Sequence, residues 1–287
     1  MFQTGAPLLS FGDELKRMVR VKHILNWLDE HAPFRLAAGW DRCGLQVGDP
    51  MSAVERTLVA LDPTLETIRE AEQRDCQCLV THHPLFLKPL DAVRVDHYPG
   101  ALIARSLRGG ISLVVAHTNL DVSRAGTNDI LAGMLSLGSL QPLELDPALR
   151  HEELYSGLGR IGLLPRAVPL SDFAGEVRRL AKGIRVRVVG EPFRPVQRVA
   201  LCTGSGGSLL DLVIREGVDV YVTGDIKYHE AQRALEEGVA LVDMGHFASE
   251  RIVVAPLAEY LRSRASLEHF ELEVFAASRE EDPFWTL

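Results

Sequence analysis

Residues 78–84 read Cys-Leu-Val-Thr-His-His-Pro, an apolar run that stops at two histidines and a proline. A run this short and continuous suits a strand covered on both faces, as in parallel sheets flanked by helices. Runs of the same kind recur at 57–61, 113–116, 199–202, 218–222 and 239–242. Apolar residues at helical spacing fill many of the gaps, at 65–73, 101–107, 209–216 and 230–237. Strand, helix, strand at this spacing predicts an α/β protein with substantially parallel sheets.

Upstream, Val21, Ile24, Leu25 and Leu28 predict a helix that begins at Val21 and ends near Pro33. The alternation is interrupted at 139–156, where Pro142 and Pro147 stand among acidic residues, and again at 190–195. These interruptions predict two α/β domains, the second inserted into the first. Residues 18–125 with 240–287 would form the first, and 126–239 the second. Residues 1–17 are weakly patterned and read as an N-terminal extension, with Met18 as an alternative start.

A chain of 287 residues can bury a core without disulfide or zinc staples. Lys and Arg number 31 against 39 Asp and Glu, a net charge of −8, which disfavours nucleic acid and anionic membrane surfaces as partners. No apolar run approaches the roughly 20 residues of a membrane helix, and no signal-peptide pattern opens the chain. Four scattered cysteines, Cys43, Cys76, Cys78 and Cys202, predict reduced thiols in a cytoplasmic protein.

The chemistry collects just beyond the predicted strands. Thr81-His82-His83-Pro84 follows one, His117-Thr118-Asn119-Leu120-Asp121 a second, and Asp243-Met244-Gly245-His246 with Glu250 a third. Sites in open α/β sheets form beyond the carboxyl ends of strands, where such loops converge. Pro84 biases His83 towards extended angles. Neighbouring side chains then point apart, so His82 and His83 serve two ions better than one. His246 and Glu250, at i and i+4, share a helix face, and Asp121 has two oxygens with which to bridge. Imidazole with carboxylate suits Zn, Fe, Mn or Ni better than Mg or Ca. Five such donors exceed one open tetrahedral ion and suit a pair about 3.5–4 Å apart.

These residues also carry a resemblance. The chain resembles the GTP cyclohydrolase I type 2 homologs, the Ngg-interacting-factor-three-like dinuclear metal-centre proteins. The matching segments are Trp40-Asp41 with Gly44 to Gly48, Thr81 to Phe86, His117 to Asp121 and Gly126 to Asp129. The second half adds Gly204-Ser205-Gly206, Thr223 to His229, Asp243 to His246 through Glu250, and Asp282-Pro283-Phe284. The resemblance runs from about residue 18 to 287 and is to the short form, without the middle insertion of some relatives. It departs at Arg42 and Cys43, which replace the family's usual Asn and small apolar residue.

The resemblance implies that His82, His83, Asp121, His246 and Glu250 hold two divalent metal ions in the cleft between the domains. His117, one residue past its strand, is either a sixth contact or, by preference, a support behind a ligand. The resemblance also implies a ring-shaped homohexamer and a hydrolase whose nucleophile is metal-activated water. The substrate would be a small molecule, with a nucleotide opened in the manner of GTP as the candidate. Asp225, Lys227 and His229 crowd another strand end and are the candidate catalytic residues, Lys227 for phosphate and His229 for proton transfer. The alternative is a non-catalytic metal scaffold or storage and delivery protein acting through protein partners.

Three weaker signals are set beside these. The glycines at 157, 159 and 162 spell a dinucleotide fingerprint, but Pro165 follows where a helix should begin, so a glycine-rich strand and turn is expected. The turn 204–208, Gly-Ser-Gly-Gly-Ser, lies between strand and helix and is either substrate-facing or structural. Cys76 and Cys78, without further ligands at zinc spacing, are expected to be core or surface thiols.

Overall fold

The computed structural model describes residues 17–145 and 156–285. The N-terminal extension, apart from Arg17, lies outside the described residues, as does most of the proline-bearing stretch 146–155. The fold is mixed α/β with three sheets. The five-stranded sheet runs Glu273–Ala276, Arg56–Ala60, Cys78–Thr81, Ser112–Val115, Gly44–Val47. Its first four strands are parallel and the last is antiparallel.

Both faces of that sheet are apolar, which explains why its strands are continuous in sequence rather than alternating. Val59, Val80 and Val114 face Trp27, Leu257 and Leu261 of the helices Val21–His31 and Val254–Leu267. Their neighbours Leu58, Leu79 and Leu113 face Ile68 and Ile103 of the helices Leu65–Gln73 and Gly100–Arg108. Cys76 and Cys78 are buried thiols in different layers, because Cys76 precedes the strand and Cys78 opens it.

The six-stranded sheet runs Gly138–Glu144, Leu158–Pro169, Pro195–Ser205, Val220–Gly224, Ala240–Asp243, Arg187–Val189. Only the central pairs are parallel; the outer ones are antiparallel. Residues from 139 onward, read as a break, therefore open a strand. Its residues are largely exposed and it lies at the sheet edge, where a proline such as Pro142 is tolerated. The glycines 157–162 run into the next strand. A Cβ at Gly159 would meet the Leu201 carbonyl at 2.7 Å, so close strand packing accounts for it. Ala240–Asp243 pairs with Val220–Gly224 and so belongs to this sheet. The third sheet is small: Phe270–Glu271, Arg17–Arg20, Ala53–Val54.

Candidate metal centre

Three chain crossings bring the donors together. Beyond Cys78–Thr81 the backbone keeps pairing, with His82 N–H and His83 N–H donating to the carbonyls of Ala60 and Leu61. After Ser112–Val115 come His117 and the short helix Thr118–Val122, which carries Asp121. The six-stranded sheet supplies the remainder: after Ala240–Asp243 the chain turns at Gly245 into the helix His246–Glu250. Asp243 fixes that turn by accepting from Gly245 N–H and Ile226 N–H and by pairing with Arg187.

Four imidazoles are oriented in the same way. Nδ1 of His82 donates to the Ala116 carbonyl at 2.9 Å, and that of His83 to Asp62 at 2.7 Å. Nδ1 of His117 donates to Asp41 at 3.0 Å, and that of His246 to Asp225 at 2.8 Å. An acceptor on Nδ1 fixes the tautomer and turns Nε2 towards the pocket, the arrangement typical of metal-bound histidine. Three overlapping groups result, each with ligand atoms within 4.8 Å of one another: His82, His83 and His117; His83, His246 and Glu250; His82, Asp121 and Glu250. Glu250, not Asp121, is the carboxylate that two of these groups share.

The electrostatics follow from this crowding. Burial opposes charge on Glu250, but hydrogen bonds from His246 and His83, with the His82 ring close by, outweigh it and hold the carboxyl well below its ordinary range. Burial also opposes charge on His83, yet Asp62 and Glu250 push it up to about 10. His246 is pushed up to about 9, first by its hydrogen bond to Glu250. Burial pushes the Asp121 carboxyl upward. Asp41 loses charge stability by burial and regains more from His117 and Thr118, so its carboxyl lies far below the usual range. Cys43, which donates to Asp41 at 3.2 Å, is raised by burial to about 12 and is an inert thiol.

One donor bears directly on occupancy. Nε2 of His82 is buried and has no hydrogen-bond partner, with the nearest carboxylate oxygens of Asp121 and Glu250 at 3.5 and 3.8 Å. A buried ring nitrogen left as a bare acceptor among carboxylates is stabilised by a cation, so the residues present fit a metal ion.

The turn at 204–208 is structural at its start. Gly204 has φ +68°, donates its N–H to Ser249 Oγ at 2.8 Å, and lies so close that a Cβ would stand 2.1 Å from Glu250 Oε1. Ser205 and Ser208 line a cleft of about 840 Å³ that also reaches Trp40, His117, Asp121, His246 and Glu250. Trp40 is 59% exposed, with its ring edge-on to His117. Of the three candidate catalytic residues, Asp225 holds His246, whereas Lys227 and His229 are exposed and do not line the cleft. Sequence reading missed Asp62 and Asp41. The available signal for Asp62 is its place within two residues of the end of an apolar strand, where His82, His117 and Asp225 also stand relative to theirs.

The chain matches the family model described as Duf34/NIF3 (NGG1p interacting factor 3) over residues 19–283. A Streptomyces coelicolor protein named GTP cyclohydrolase 1 type 2 homolog is 35% identical over 272 residues, 94% of each chain. A crystal structure of a Staphylococcus aureus hypothetical protein superposes with a TM-score of 0.86 at 29% identity, covering 93% of this chain and 99% of that one. Reduced HcgD from Methanocaldococcus jannaschii gives 0.76 at 29% identity, covering 91% and 98%. Among the described residues, no helix is long and apolar enough to cross a membrane.

Two outcomes are expected. Gly204→Ala should lower stability by about 1–2 kcal/mol from the left-handed backbone alone. Because it also displaces Glu250, it should retain less metal, as read by denaturant unfolding and elemental analysis. In metal-free protein, folded values of about 10 for His83 and 9 for His246 stand above the ordinary histidine value. The protons they bind therefore stabilise the fold. That contribution is complete below about pH 6.5 and is lost as the pH rises through about 9 to 10. Unfolding of chelator-treated protein should show stability falling from pH 7 to 10; an unchanged or rising stability contradicts the grip of Glu250 on these rings.

Proposed function

Since the chain belongs to the Duf34/NIF3 family, we propose that it is a divalent-metal protein with a two-ion site that serves a hydrolase. The observation that carries this reading is the set of four imidazoles anchored at Nδ1, three of them facing Glu250, together with the orphaned Nε2 of His82. His82, His83, Asp121, His246 and Glu250 are the proposed ligands, with His117 close enough to join them. A bound divalent ion supplies Lewis acidity and lowers the pKa of water to about 7.

The chain's own groups do the rest. Asp62 and Asp225 hold the rings of His83 and His246. The large cleft admits a small molecule: its 840 Å³ lies within the usual range for such sites. Ser205, Ser208 and Thr118 offer hydroxyls there, and Trp40 a flat apolar face. The name of the Streptomyces relative supports a nucleotide as substrate. Cytoplasmic location and a homohexamer belong to the same proposal. So do two α/β domains, with the chain returning to the first after Glu250, because Ala240–Asp243 pairs within the six-stranded sheet.

A metal storage or delivery scaffold is the second reading, and the exposure of Lys227 and His229 away from the cleft favours it. Elemental mass spectrometry of chelator-free protein, reloaded anaerobically, should find about two ions per chain, the count of a dinuclear centre. Lys227→Ala and His229→Ala should keep that count. Turnover in a panel of nucleotides, phosphoesters and cyclic amides is expected of the loaded protein. Loaded protein without turnover leaves only the scaffold, and no retained metal removes both readings.

A further inference from the structure

The C-terminal segment returns a carboxylate to the edge of the five-stranded sheet. Strand Glu273–Ala276 pairs in parallel with Arg56–Ala60, and Ala277 N–H continues that edge by donating to the Val59 carbonyl. The chain then leaves the sheet, because Ser278 N–H and Oγ both turn to the carboxylate of Glu70. Leu61 and Asp62 therefore run on with no strand beside them on that side. Glu280 fills the gap: its Oε1 accepts from Leu61 N–H at 2.8 Å and from Asp62 N–H at 2.9 Å. Backbone N–H groups left bare at a buried strand end are costly. Here one side-chain oxygen stands in for the acceptors of a missing strand.

The same two residues grip His83 from the other side. The Leu61 carbonyl accepts from His83 N–H at 2.9 Å, and Asp62 Oδ1 accepts from His83 Nδ1 at 2.7 Å. The Asp62 side chain is 38% exposed, so its backbone rather than packing sets where its carboxylate stands. Glu280 is an unusual group to find behind it. Burial pushes its carboxyl up to about 6, with the bonds from Asp62 and Leu61 working against that rise. Its second oxygen, Oε2, is buried without a hydrogen-bond partner. An apolar side chain would avoid both penalties but would leave the two N–H groups unsatisfied.

Resting on the metal reading above, we propose that Glu280 is a positioning residue for the metal centre. It fixes the backbone of Leu61 and Asp62, and Asp62 in turn fixes the ring of His83, whose Nε2 meets Glu250. The C-terminal segment is thus part of the frame of the site, although it supplies no proposed ligand.

The test uses the full chain loaded with cobalt(II), whose visible absorption follows the geometry of its ligands. Loss of a group that supports a metal-bound histidine weakens metal binding about 10–100-fold. Asp62→Ala should reach that range and alter the cobalt spectrum, and Glu280→Ala should change affinity and spectrum in the same direction. The double variant should bind no more weakly than Asp62→Ala alone, because the two residues act in series. Glu280→Gln, whose amide oxygen still accepts both N–H groups, should keep the spectrum of the unaltered chain. Ser278→Ala loosens the same segment at Glu70 and should lower the unfolding midpoint without changing the spectrum. If Glu280→Ala does not fold, Glu280→Asp, one methylene too short to reach, takes its place in every comparison. An unchanged spectrum and affinity in Glu280→Ala overturn the proposal. So do additive losses in the double variant, a Glu280→Gln protein that behaves as Glu280→Ala, or a Ser278→Ala spectrum shifted in the same way. Failure of the unaltered chain to bind cobalt overturns the metal reading instead.

Discussion

A single carboxylate, 4% exposed, takes three imidazoles at once: Glu250 against His82, His83 and His246. Burying a charge costs several kcal/mol unless opposite charge and hydrogen bonds compensate it. The rest of the pocket follows from that demand. Two of the imidazoles that face Glu250 are steadied from behind by carboxylates, Asp62 and Asp225, and the third by a carbonyl. Asp121 then enters a site already crowded with negative charge, and Thr127 steadies one of its oxygens. Without a cation the balance is kept by protons on His83 and His246. With one, the same donors are ready to exchange those protons for metal.

The sheets exist in this arrangement to bring such a site together from two directions. Strands with both faces covered leave only their ends for polar chemistry, and the five-stranded sheet delivers His82, His83 and Asp121 there. The six-stranded sheet delivers His246 and Glu250 from its own strand end. Close approach of the two depends on residues without side chains. Gly204, at the end of Pro195–Ser205, leaves the space that the Glu250 carboxylate occupies, and Ser249 ties the same backbone to the helix of Glu250.

Much of this was legible in the sequence because burial on both faces leaves a mark. The runs at 57–61, 78–80, 113–116 and 239–242 are apolar without alternation and lie on strands whose two faces meet different cores. The donors were legible for the same reason, as polar residues placed where such runs stop. Strand Gly138–Glu144 was not, because an exposed edge strand carries no apolar signature and tolerates Pro142. Nor was the role of Asp62 or Asp41, since their partners His83 and His117 are 21 and 76 residues away and only tertiary structure joins them. The sharing of Glu250 by two groups was likewise hidden. Its position at i+4 from His246 announces one neighbour, while His82 and His83 reach it from the other sheet.

The central claim is that Glu250 is the carboxylate common to two cation positions. Anomalous diffraction at the zinc edge from zinc-soaked crystals tests it most directly. The account predicts two peaks, one among His82, Asp121 and Glu250 and the other among His83, His246 and Glu250. A single peak, or peaks that leave Glu250 outside their coordination, would contradict it.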